Sequence, residues 1–200
     1  MKKTMQLLLA LLIAFGSASC ATRGQSNTLY DLGILRNTPP TLPALPPTSV
    51  AEVRSPGWLD SHLMFYRLGY ANEQQPHPYA NSRWSMAPAQ LFEQRLKARI
   101  AQTGGAVLPA AAGARNVPVL RIEADDFTQL FNAPAQSVGR VSVHAALLDG
   151  RTLIAQKNFV KEAPAPSADA AGGAKALADA SDALIDDMIR WLATLPPAAK

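Results

Sequence analysis

Cysteine is almost missing from these 200 residues: Cys20 stands alone. No internal disulfide can form, and no zinc site can be built on paired cysteines. Long apolar runs are equally scarce. Residues 5–15 (MQLLLALLIAF) make one, broken only by Gln6, and it falls short of the roughly 20 apolar residues that cross a bilayer. Charge imbalance is also lacking. Once residues 1–19 are set aside, the 19 basic side chains lose Lys2 and Lys3, leaving 17 against 15 acidic ones. That near balance, spread along the chain, has no basic footprint for nucleic acid.

Signatures of catalysis are missing too. The chain has no G-x-S-x-G elbow, no P-loop lysine and no H-E-x-x-H, so the familiar hydrolase, nucleotide and zinc-protease frames do not apply. His62, His77 and His144 lie far apart in sequence, without metal-ligand spacing. The pairs Gly104-Gly105 and Gly172-Gly173 lack the strand-loop-helix setting of a phosphate site. Asp125-Asp126 reads as a strand end, and Asp186-Asp187 as the wet side of a helix, with Asp186 placed to pair with Arg190. The expectation is a chain with no enzyme activity, no metal and no cofactor.

What is present begins at the N-terminus. Lys2 and Lys3, the apolar core and the small residues up to Cys20 form a bacterial secretory signal. Ser17-Ala18-Ser19-Cys20 resembles a lipobox, with cleavage between Ser19 and Cys20 and acylation of the cysteine. Ser17 stands where Leu is usual, and Ser19 where Gly or Ala is usual. An ordinary signal peptidase also accepts small residues at this spacing, and would leave an unpaired thiol in an oxidising compartment. On the lipoprotein reading, Cys20 carries S-diacylglycerol and an N-acyl chain, several chains that anchor firmly where one is marginal. Ala21, rather than Asp, then resembles an outer-membrane address.

Three segments follow: a signal over 1–19, a lipidated tether over 20–27 and one domain over 28–200. Within the domain, residues 28–33 read as a short strand ended by Gly33. Residues 37–49 hold a proline cluster that favours polyproline II and an extended loop outside any sheet. Short strands are expected at 50–53 and 62–68, then turn formers over 69–85 with a brief strand at 82–85. From Pro88 the period becomes helical: Leu91, Phe92, Leu96 and Ile100 share a side, Glu93 and Lys97 can pair, and Gly104 ends the run. Residues 117–127 alternate, with Leu120, Ile122 and Ala124 on one face. Residues 137–148 alternate again, through Val141, Val143, Ala145 and Leu147. Asp149-Gly150 marks a hairpin leading into a partner strand at 152–160. Residues 169–195 carry a long apolar stripe (Leu177, Leu184, Met188, Trp191), which Gly172-Gly173 frays at its start. The predicted class is an α/β (α+β) sandwich: a mixed, largely antiparallel sheet with two main helices packed on it.

Taken in order, Tyr30-Asp31-Leu32-Gly33, Trp58-Leu59-Asp60, Phe65-Tyr66-Arg67, Trp84 before Pro88, Asp125-Asp126-Phe127 and Arg190-Trp191-Leu192 resemble the ABC-type transport auxiliary lipoproteins of the PqiC/YmbA kind. The resemblance implies a non-catalytic outer-membrane lipoprotein working with an MCE-domain ABC system that moves lipids or other hydrophobic molecules between the two membranes. It implies attachment to the inner leaflet of the outer membrane through Cys20. A ring-forming MCE partner also leaves room for a matching homo-oligomer. Tyr30, Asp31, Leu59, Asp60, Arg67, Trp84 and Trp191 are the family-motif positions, expected to support the fold. The competing functional reading is a structural envelope lipoprotein that binds peptidoglycan or an outer-membrane assembly machine.

Overall fold

The computed structural model describes residues 26–36, 42–109 and 117–196. The expected signal over 1–19, Cys20 and residues 37–41 of the proline cluster lie outside the described residues. Eight strands and two helices follow in the order β1 (Thr28–Tyr30), β2 (Thr48–Val50), β3 (Leu63–Leu68), β4 (Asn72–Trp84), α1 (Pro88–Gln102), β5 (Val107–Pro109), β6 (Val119–Ala133), β7 (Gln136–Asp149), β8 (Thr152–Pro164) and α2 (Ala170–Ala193). They form a mixed α/β fold with one curled sheet.

An antiparallel meander, β6–β7–β8, is the longest part of the sheet. Its alternation is the cause: Leu120, Ile122, Ala124, Val141, Val143, Ala145 and Leu147 are buried, while Arg121, Glu123 and Asp125 face water. Gly150 takes φ 58° in the β7–β8 turn, a left-handed conformation that glycine adopts without strain. On its other edge β6 is shared. β2 pairs in parallel with its start, at Val119 and Leu120, and β3 with its end, from Gln129 to Phe131. A register shift between Ala124 and Asp126 separates the two zones.

Several elements differ from the sequence expectation. Residues 69–85 are not mainly turn: β4 runs 13 residues through Pro76 and Pro78. Because β1 pairs only with Ser82–Trp84, much of β4 lies at an edge, where sheets tolerate the missing N–H of proline. β6 does not end at Phe127 but continues to Ala133, so Asp126 sits within a strand at its bulge. β2 starts at Thr48, inside the proline-rich stretch, with Ser49 N donating to the Pro118 carbonyl. β8 runs on to Pro164.

The helical glycines also play another part than fraying. α2 begins at Ala170, capped by Asp169, whose carboxylate accepts from Gly172 N at 2.8 Å. Gly139 of β7 lets the α2 backbone approach directly, since a Cβ there would meet Leu177 N at 2.4 Å. On α1, Leu91, Phe92, Leu96 and Ile100 are buried as the period predicts, and the Lys97–Glu93 pair forms. Both apolar stripes join one core with Trp84, Phe127 and Met64.

Candidate functional site

The family-motif positions fall into three separate groups. Tyr30 and Trp84 meet across the parallel β1–β4 ladder, with Ser85 N donating to the Tyr30 carbonyl at 2.8 Å. Trp84 is fully buried and stands edge-on to Phe127, ring centres 5.5 Å apart. Its indole Nε1 finds no hydrogen-bond acceptor among the described residues, so this ring acts through volume. Asp31 accepts a bond from Gly33 N at 2.7 Å, which closes a turn around Gly33 at φ 68°.

Leu59, Asp60 and Arg67 form the second group. Leu59 is buried, and the amides of Leu59 and Asp60 both donate to the Pro56 carbonyl. Arg67 lies 5.3 Å from the Trp58 ring centre and donates to the Glu73 carbonyl at 3.0 Å. Trp191, the third, packs edge-on to Phe159 near the far edge of the sheet. The histidines stay apart. His62 Nδ1 lies 3.2 Å from the Trp84 carbonyl, His77 stacks on Tyr66, and His144 pairs with Asn158. Among the described residues no cluster of three or more His, Cys, Asp or Glu is placed to hold a metal.

The strongest electrostatic feature lies where α1 crosses α2. Arg95 forks onto Asp182, with Nε to Oδ1 at 2.7 Å and Nη2 to Oδ2 at 2.8 Å, and its Nη1 donates to the Gly33 carbonyl at 2.8 Å. One turn on, Arg99 Nε lies 3.2 Å from Asp186 Oδ1 and Nη1 donates to the Arg36 carbonyl at 3.3 Å. Both arginines are buried. Burial pushes the Asp186 carboxyl up while Arg99 draws it back down. The expected Asp186–Arg190 pair does not form: Arg190 pairs with Asp187, and Asp186 faces the helix seam. Sequence reading missed this seam; the signal that could have found it is the pair of i,i+4 sets, Arg95/Arg99 and Asp182/Asp186, each bordering an apolar stripe. It joins the two helices and also grips the segment that leads back toward Cys20.

A second buried network sits beneath the start of α2. Tyr79 Oη donates to Gln129 Oε1 at 2.8 Å, and Gln129 Nε2 donates to Ser137 Oγ at 2.8 Å. Burial pushes the Tyr79 hydroxyl far above its ordinary range, so it serves as a neutral donor. On β6, burial likewise raises the Asp126 carboxyl, opposed by its bond from Thr128 and by Arg67 and Arg140. These groups are tied to neighbours rather than aimed into a shared cleft. Together with the seam, they leave residues 33–36 clamped onto the core through the Gly33 and Arg36 carbonyls.

The sequence profile described as ABC-type transport auxiliary lipoprotein component matches residues 30–189. The chain belongs to this family. Its members are described as an auxiliary component of a transport system, and lipoproteins of this kind are membrane-associated envelope proteins. A DUF330-family protein from Xanthomonas campestris has a similar structure, with TM-score 0.71 and 18% identity over 82% of this chain and 94% of that one. An uncharacterized protein is similar at TM-score 0.65 and 15% identity, over 84% and 99%. At those identities the likeness is one of fold. Comparison with curated proteins yields no match. Among the described residues no helix is long and apolar enough to cross a membrane.

Proposed function

We propose that this auxiliary lipoprotein is a non-catalytic adaptor, anchored in the inner leaflet of the outer membrane by acylated Cys20. Its partner is the periplasmic end of an MCE-domain ABC system that moves lipids between the two membranes. The observation that carries this reading is the family match across residues 30–189, from β1 nearly to the end of α2. The Arg95/Arg99 seam supports it, because a domain held by one short tether transmits position only if the tethered segment is fixed to the core. Tethering raises the effective concentration of a partner without a large intrinsic affinity. A homo-oligomer matched to a ring-shaped partner fits the same role.

Crosslinking in intact envelopes, followed by purification of the acylated protein, tests the reading. The expected product is an MCE-domain protein, lost from the membrane fraction's complexes when Cys20→Ala releases the domain. Retention on purified peptidoglycan with no MCE protein crosslinked would overturn it.

A further inference from the structure

Resting on the acylation of Cys20, we propose that the end of the domain carrying Leu29 and Ile34 lies against the lipid leaflet itself. These two side chains then enter its interfacial layer. Five large hydrophobic residues are exposed among those described, and the two most exposed are Ile34 at 91% and Leu29 at 66%. Both belong to the first stretch after the tether. Water around such side chains is unfavourable unless another apolar phase covers them.

Backbone anchoring prevents Ile34 from folding back onto the core. Leu32 beside it is buried, the Gly33 turn is closed by Asp31, and the carbonyls of Gly33 and Arg36 are held by Arg95 and Arg99. Ile34 is therefore presented outward by a clamped segment. Leu29 borders a cleft of about 380 Å³ that also contains Lys175. Asp31 shares that cleft and Lys175 is paired with Asp179, while Arg36 follows Ile34 by two residues, a cation placed where a phospholipid headgroup could meet it.

Chain length selects the occupant. Eight residue steps separate Cys20 from Thr28, at most about 29 Å when fully extended and about 16 Å as a flexible coil. A domain of this size is about 40 Å across. The β1 segment is the part of the described fold nearest in chain to the acyl chains, so it is the first to come within reach of that leaflet, whereas Leu153, just past the β7–β8 turn, is remote from Cys20 along the chain. A second copy or a protein partner would have to compete for this end with a membrane that is already within reach.

Acylation of the sole cysteine leaves any introduced cysteine as a unique labelling site. The full-length acylated protein, carrying Ile34→Cys or Leu153→Cys, is labelled with an environment-sensitive fluorophore. It is then placed in phosphatidylethanolamine/phosphatidylglycerol vesicles containing doxyl-lipids. Quenching by the lipid several-fold stronger at position 34 than at 153, with the reverse order for aqueous iodide, is the expected result. Equal iodide access at both positions overturns the docking, as does protection at 34 without lipid quenching, which assigns that face to a second copy. Mass spectrometry of the N-terminal peptide separates the two levels. Absence of acyl mass on Cys20 overturns the anchoring reading and the docking with it, whereas acylated protein with a water-exposed position 34 overturns the docking alone.

Discussion

The two sides of the sheet are held together in different ways. At the β1 side, a short irregular segment is fixed by groups distant in sequence: Arg95 reaches the Gly33 carbonyl across 62 positions and Asp182 across 87. At the β8 side, a continuous hairpin ladder does the work, and its ion pairs, such as Arg140–Glu162 and Lys161–Asp187, are half-exposed. Breaking a buried ion pair strands a charge away from water and is costly, whereas exposed pairs are worth little. The side that continues in sequence toward Cys20 is the one built so that a single lost partner is felt.

Substitutions that strike the β1 side hardest come first. Trp84→Ala empties the site facing Phe127 and should cost about 3–5 kcal/mol. Trp84→Phe should cost far less, because the indole N–H makes no hydrogen bond there. Urea denaturation of both variants checks the contrast, and equal losses would mean that Trp84 acts through its polar edge.

Arg95→Leu leaves Asp182 without its fork and the Gly33 carbonyl without its donor. The expected loss is about 2–3 kcal/mol, below a fully buried pair because Asp182 is 25% exposed. By contrast Lys175→Ala, which breaks only the exposed pair with Asp179, should stay within about 0.5 kcal/mol. Comparable thermal shifts for the two would erase the distinction drawn above.

Gly139→Ala tests the β7–α2 contact that both sides share. Backbone rather than a flexible side chain blocks the new methyl group, and overpacking of this kind costs about 1–3 kcal/mol.

The smallest effect is a pH dependence. Asp126 and Asp186 have folded pKa values raised above the ordinary carboxylate value, so the native state binds more protons than the unfolded chain between those two values. Stability from these groups is thus fullest at low pH and falls as pH rises from about 4 through the raised values. Asp126→Asn should flatten that slope in denaturation curves taken across the window; a steeper slope would reverse the assignment.

The same contrast explains what could be read from sequence. Alternation in 119–124 and 141–147 and the Asp149-Gly150 turn are local signals, so the meander and the mixed α/β class follow from short windows. Both helices follow from their apolar stripes. β4 escaped because Pro76 and Pro78 signal a turn unless the strand is known to lie at an edge. The seam escaped because Asp186 has a nearer cation in sequence, Arg190, than its partner in space, Arg99. Gly172 and Gly173 looked like a weak helix start, yet a Cβ on Gly173 would meet Gln129 Oε1 at 2.0 Å. Contacts between distant residues set these positions, and no local pattern encodes them.

The account depends above all on a domain tied to a membrane through Cys20. Intact mass analysis of the protein purified from envelopes, together with its distribution between membrane and soluble fractions, tests this most directly. The predicted result is a chain beginning at Cys20, carrying a diacylglycerol thioether and an N-acyl group, and found wholly in the membrane fraction. A soluble protein with an unmodified N-terminal thiol would contradict it.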